Sequence, residues 1–196
     1  MRSFIDHIKN NPVKYFSLLV LSFSVALGTN TIATSLKEYE KISIFLASYT
    51  TDTTAFNQAV EDSTPEYIKE MSLYSFSLKD QSFDYYYSTI ALARCDIVII
   101  PESVIEDDTI LKTFKKIPEI IENEYFNDAS FYSIYENHYG LKIHSEGQNK
   151  PNSPITYVGD DSQDQNYYVF FNSNSIHVSN RYNTVYKIIR GVLHVL

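Results

Sequence analysis

The stretch from Tyr15 to Leu36 contains no Asp, Glu, Lys or Arg, and it follows a short head carrying Arg2, Lys9 and Lys14. Wound as an α-helix it would measure about 33 Å, enough for a bilayer core of about 30 Å. Three cations against one acid, Asp6, would hold the head on the cytoplasmic side. The sequence therefore predicts a head over 1–14, a transmembrane anchor over 15–36 and an outer domain over 37–196. On this reading the protein is a single-pass cell-membrane protein whose C-terminal domain lies outside. The rival reading is a cleaved signal peptide. The densely apolar part runs only from Phe16 to Leu27, and Ala26-Leu27-Gly28 offers small residues to a peptidase.

Charge narrows the partners of the outer segment. With Arg2, Lys9 and Lys14 set aside from 16 cations and Asp6 from 24 acids, 13 cations face 23 acids beyond residue 36, a net of −10. Phosphate backbones need cations, so nucleic acid is not an expected partner. Cys95 is the only cysteine, so the chain forms no internal disulfide. Its place just before an apolar run predicts a buried thiol.

Apolar periodicity outlines one α/β domain. Lys41–Ser48, KISIFLAS, reads as a nearly continuous apolar strand of a sheet covered on both faces. Phe56, Ala59 and Val60 give a helical stripe, and Thr64-Pro65-Glu66 reads as a second helix start. Tyr74, Phe76 and Leu78 alternate with serines as a half-buried strand. Phe83, Tyr86, Tyr87, Ile90, Ala91 and Arg94 fit one helix, which feeds the strand Asp96–Ile100, stopped by Pro101. Leu111, Phe114 and Ile117 mark a helix that restarts at Pro118. Phe131–Tyr135 and Leu141–His144 flank a turn at Asn137–Gly140. A small strand over Ile155–Val158 lies in a polar stretch. Tyr167–Phe171 and Ile176–Val178 read as strands, and Thr184–Leu196 as a closing helix. Strands alternating with helices imply a mostly parallel sheet with helices on both faces.

No catalytic constellation stands out, and no cofactor motif occurs. His138, His144, His177 and His194 lack metal-ligand spacing, and HExxH, GxSxG and CxxC are all missing from the sequence. The carboxylate pairs Asp107-Asp108 and Asp160-Asp161 read as solvated faces. Two of the three tyrosines Tyr85–Tyr87 fall on the apolar stripe, which favours core packing over sugar stacking. In open α/β sheets ligands sit beyond the carboxyl ends of strands. Those ends are Ser48-Tyr49-Thr50-Thr51 and Pro101-Glu102-Ser103; simple capping is the competing reading.

The ordered pieces resemble the first lobe of extracytoplasmic solute-binding proteins of ABC transporters. KISIFLASYTTD resembles their opening strand and ligand-side loop, and STIALARCDIVIIPESV their helix-into-strand element, with Arg94-Cys95 where the family has Gly and Pro. HYGLKIHS is similar to their Tyr-Gly-Leu-Pro segment, with Lys142 in place of Pro. NYYVFFNSNSIHV resembles a strand bearing a tyrosine-asparagine pair, here Phe171-Asn172. The resemblance implies a periplasmic-binding-protein-like domain and ligand contacts from Ser48, Tyr49, Thr50, Pro101, Glu102, Tyr139 and Asn172. It also implies a small-molecule solute or a membrane protein such as a permease as partner, without catalysis or cofactor. Family members have two lobes; 160 outer residues leave room for little more than one. The alternative is a protein-interaction module with a vestigial cleft.

Overall fold

The computed structural model describes residues 36–48, 54–147, 165–179 and 183–194, with seven helical positions between Val13 and Ser24. The chain divides into two compact units, Met1–Lys37 and Glu38–Leu196. In the first, Val13, Phe16, Ser17, Val20, Leu21, Ser22 and Ser24 are helical, and Phe16 and Leu21 are exposed. Among the described residues no helix is long and apolar enough to cross a membrane. This corrects the expected transmembrane helix, and with it the single-pass location at the cell surface. The densely apolar run, 16–27, would reach only about 18 Å as a helix, short of the bilayer core. Most of the predicted span 15–36 lies outside the described residues.

Among its described residues the second unit has six strands: β1 (Lys41–Ser48), β2 (Glu70–Ser77), β3 (Ile97–Pro101), β4 (Phe131–Ile134), β5 (Asn137–His144) and β6 (Tyr167–Phe171). They form one sheet in the order β2-β1-β3-β6-β5-β4. β1 pairs in parallel with β2 and with β3, whereas the pairs β3–β6, β6–β5 and β5–β4 are antiparallel. The expected mostly parallel sheet is therefore corrected to a mixed one, with more antiparallel than parallel pairs. The reason is local. A two-residue turn at Tyr135 and Glu136, both at positive φ, folds β4 onto β5 as a hairpin. β6 then inserts between β3 and β5, running against both.

Among the described residues seven helices accompany the sheet: α1 (Thr54–Ser63), α2 (Phe83–Tyr86), α3 (Leu92–Arg94), α4 (Asp107–Thr113), α5 (Glu119–Tyr125), α6 (Ile176–Ser179) and α7 (Thr184–His194). A π turn, Tyr87–Ala91, joins α2 to α3. Asp107 and Asp108 in the first turn of α4, and Glu119 and Glu122 in that of α5, meet the positive end of each helix dipole.

Alternation along β1 divides the core. Ile42, Ile44 and Leu46 pack with Phe56, Val60, Ile121, Ile188 and Val192 of α1, α5 and α7. Phe45 and Ala47 pack on the other face with Phe83, Ala91 and Ile110 of α2, the π turn and α4. Helices thus cover both faces. All five residues of β3 and all five of β6 are buried, as strands between two helical layers must be.

Some sequence expectations gave way. The helix expected through Leu111, Phe114 and Ile117 ends at Thr113, and Phe114 bridges Asn172 instead. Thr64-Pro65-Glu66 forms a turn closed by Ile68 N donating to the Pro65 carbonyl at 2.9 Å, without a helix. Ile176–Val178 is helical, within α6. Asn137–Gly140 belongs to β5, with the turn two residues earlier. The strand expected at Ile155–Val158 lies outside the described residues.

Candidate functional site

The sheet separates the expected ligand contacts into two groups at opposite edges. Ser48 ends β1 two residues beyond the Leu46–Ile99 pair, level with Pro101 at the end of β3. Tyr49 and Thr50 lie outside the described residues. Glu102 opens a 3-10 turn, Glu102–Val104, at this carboxyl edge. Tyr139 and Asn172 sit at the other end. Asn172 follows β6, whose Phe171 is opposite Ile97 at the start of β3, and Tyr139 precedes Gly140, opposite Phe170. At about 3.3 Å per residue, Ile97 and Pro101 are about 13 Å apart. No one small ligand contacts both groups.

At the carboxyl edge Glu102 is already engaged. Its Oε2 accepts from Asn166 Nδ2 at 2.6 Å, and its N–H donates to the Asn166 carbonyl at 2.9 Å. Asn166 Oδ1 in turn accepts from Lys142 Nζ and from Glu146 N, both at 3.2 Å. Asn166 thus ties the ends of β3, β5 and β6 together.

Beside this knot lies a cavity of about 460 Å³ lined by Leu78, Phe83, Asp84, Tyr87, Leu92, Ser103, Val104, Glu106 and Thr109. Polar and apolar groups share its walls about equally, with Asp84, Ser103, Glu106 and Thr109 beside Leu78, Phe83, Leu92 and Val104. Tyr87 comes from the π turn, where one extra residue per turn re-aims side chains. Its hydroxyl is buried and has no hydrogen-bond partner. Burial, assisted by the negative charge of Glu106, pushes the phenol well above its ordinary range, so it stays protonated. Its ring stacks on Phe83 at 5.9 Å, and Tyr86 stacks on Phe76 at 4.3 Å. Core packing of the tyrosine run therefore coexists with a buried hydroxyl that has no partner.

The amino edge holds a second polar centre. Asp96 Oδ2 accepts from Ser43 N at 2.8 Å and from Ser43 Oγ at 2.9 Å, and Oδ1 accepts from Ser175 Oγ at 2.6 Å. Ser175 Oγ also accepts from His177 N at 3.1 Å. His177 Nε2 lies 2.6 Å from the Lys41 carbonyl, an acceptor only, so Nε2 carries the proton. Asn172 is buried here; its Nδ2 donates to the Leu92 carbonyl at 2.9 Å, and its Oδ1 accepts from Asn174 N at 3.0 Å. Ser175, His177 and Asp96 are the residue types of a catalytic triad, but the bonds are not those of one. The serine donates to the carboxylate, and the imidazole proton is spent on a backbone carbonyl, so no base faces the serine hydroxyl.

Among the described residues, His138 and His144 also have structural partners. His138 Nδ1 is 2.9 Å from Glu122 Oε1 and its ring stacks on Phe131 at 4.5 Å, while His144 meets Tyr167 edge to face. Among the described residues no group of three His, Cys, Asp or Glu side chains is placed to hold a metal ion. A larger cavity of about 520 Å³ beside α5 and α7 has exposed walls, where Arg190 lies 5.6 Å over the Tyr125 ring. Sequence reasoning missed Ser43, Ser175 and the partnerless hydroxyl of Tyr87. No spacing rule connects residues brought together only by strand pairing. No family model, no curated protein and no solved structure matches the chain.

Proposed function

We propose that Glu38–Leu196 is a non-enzymatic binding domain for a small solute, held beside the carboxyl ends of β1 and β3. The observation that carries this reading is the buried, partnerless hydroxyl of Tyr87 in a cavity of about 460 Å³. A buried hydroxyl without a partner costs about 1–3 kcal/mol, which a ligand hydrogen bond recovers. Glu106 and Asp84 accept bonds from ligand N–H or O–H groups, while Leu78, Phe83 and Val104 enclose an apolar body. The position beside Pro101–Ser103 agrees with the resemblance to solute-binding proteins of ABC transporters. That resemblance also supplies a permease as the partner to test.

The experiment is a thermal-shift screen with sugars, amino acids and short peptides, repeated on Tyr87→Phe and Glu106→Gln. Bound ligand raises stability as RT ln(1 + [L]/Kd). The expected result is a stabilising ligand whose effect falls in both variants. A panel without a hit, or a hit indifferent to both substitutions, overturns the reading.

A second reading, a protein-interaction module, is favoured by β2. Among the described residues it forms one end of the sheet and pairs with β1 alone, and it runs eight residues without Lys or Pro. Such an edge is a template for an added strand. Native-state hydrogen exchange of the β2 amides, with and without a candidate permease, tests it; unchanged protection rejects it.

A further inference from the structure

We propose a second ligand site at the amino edge of the sheet, opposite the cavity beside Tyr87, and assign it to a primary organic ammonium compound. A cavity of about 370 Å³ opens there between β1, β3 and the start of α6. Its polar floor is Ser43, Asp96, Ser175 and His177. Two hydrogen-bond acceptors on that floor are unfilled. An ionised carboxylate offers about four lone-pair positions, and Asp96 uses three, on Ser43 N, Ser43 Oγ and Ser175 Oγ. His177 is 1% exposed, and its Nδ1 has no partner. With Nε2 donating to the Lys41 carbonyl, Nδ1 in that tautomer presents a lone pair.

Two such acceptors on residues lining one cavity suit a ligand that donates more than once, as a primary ammonium does. Charge agrees. Glu38, Glu70 and Asp96 line the cavity against Lys41 and Arg94, and Lys41 is already 3.8 Å from Glu70. The balance is one negative charge. Size and walls agree as well. Tyr74 and Ile176 are 38% and 47% exposed on the rim and offer apolar surface to a carbon tail. A tertiary or quaternary ammonium of equal charge cannot satisfy both acceptors, since it lacks the donors.

The test uses the intact chain, butylammonium as probe and butyltrimethylammonium as control, read by nuclear magnetic resonance. Butylammonium should shift the amides of Ser43, Asp96 and Ser175 and the imidazole of His177 saturably, and the control should not. Asp96→Asn, checked for native shift dispersion, should weaken butylammonium by about tenfold or more, as expected for hydrogen bonds to a charged group. Equal responses to the two ions, or no response at these residues, overturn the proposal even if the variant fails to fold. Shifts confined to Tyr87 and Glu106 would place the amine at the other edge and equally reject this site.

Discussion

Asp96 and Ser43 are joined twice across the β1–β3 pair: one carboxylate oxygen of Asp96 accepts from both the backbone N–H and the hydroxyl of Ser43. The reverse direction is used too, with Asp96 N donating to the Ser43 carbonyl at 2.9 Å. A serine and an aspartate 53 residues apart therefore fix where β3 begins against β1. Ser175 adds the third strand to the same carboxylate, since it follows β6. Asp96 is the point at which three chain segments are held in register.

That role predicts an ordering of stabilities. Ser43→Ala and Ser175→Ala should each cost about 1 kcal/mol, the net value of one hydrogen bond. Asp96→Ala should cost about 2–3 kcal/mol, because the Ser43 N–H and the Ser175 hydroxyl then lose their acceptor together. Urea denaturation of the three variants measures this. An Asp96→Ala cost no larger than either serine variant would mean that the carboxylate is not the hub.

Burial in β3 sets a second expectation. Ile99 is fully buried between β1 and β6, where it pairs with Leu46 and Val169. Ile99→Ala should cost about 2–5 kcal/mol through lost transfer energy and a residual cavity. Against a domain stability of about 5–15 kcal/mol, the melting temperature should fall visibly. A loss below about 1 kcal/mol would place Ile99 outside the core.

Much of this architecture is legible in the residues. KISIFLAS forms β1 from Lys41 to Ser48, DIVII supplies most of β3, and Val185, Ile188, Ile189 and Val192 bury one face of α7. Strand direction is not legible. Tyr167–Phe171 is apolar on both faces, so its periodicity reads the same for either direction. Gly140 misled for a different reason. Glycine marks turns, but here it stays in β5 because the Phe170 ring occupies the space a Cβ would need, 2.6 Å from Cε1. Ile176–Val178 is too short a run to distinguish helix from strand. Asn172 was expected beside Glu102, and a single reversal of β6 carries it to the far edge. The Asp96 centre depends on that same reversal, which is why Ser175 gave no signal.

Two buried weak acids predict an alkaline loss of stability. Burial, and then the Asp96 charge, push the Cys95 thiol from 9.0 up to about 12, although a Ser43 hydrogen bond pulls it back. Burial alone pushes the Tyr186 phenol from 10.0 up to about 12. The fold favours both neutral forms. Their contribution is fully present below the unfolded-state values and is lost as pH rises through them toward the folded-state values. Denaturation midpoints should fall between about pH 9 and about pH 12, and Cys95→Ala and Tyr186→Phe should each flatten that fall. Near neutral pH, Tyr186→Phe should stabilise by about 1 kcal/mol, because its buried hydroxyl has no partner. A flat alkaline profile in the unmodified protein would contradict the burial of both groups.

The packing of α1 against α7 predicts a reversal of an ordinary helix preference. Gly191 lies inside α7, where alanine is normally favoured over glycine by about 1 kcal/mol. A Cβ at Gly191, however, would meet the Ser63 Cβ at 2.5 Å and crowd its hydroxyl, which donates to the Ala59 carbonyl at 2.7 Å. Neither helix yields easily, because Val60, Ile188 and Val192 fill the space around the crossing. Gly191→Ala should therefore destabilise by about 1–3 kcal/mol, the cost of overpacking. In a Ser63→Gly background the obstructing side chain is gone, and the same substitution should turn neutral or stabilising. Thermal melts of the four-member cycle give the coupling directly. A stabilising Gly191→Ala in the presence of Ser63 would show that α1 and α7 do not approach this closely.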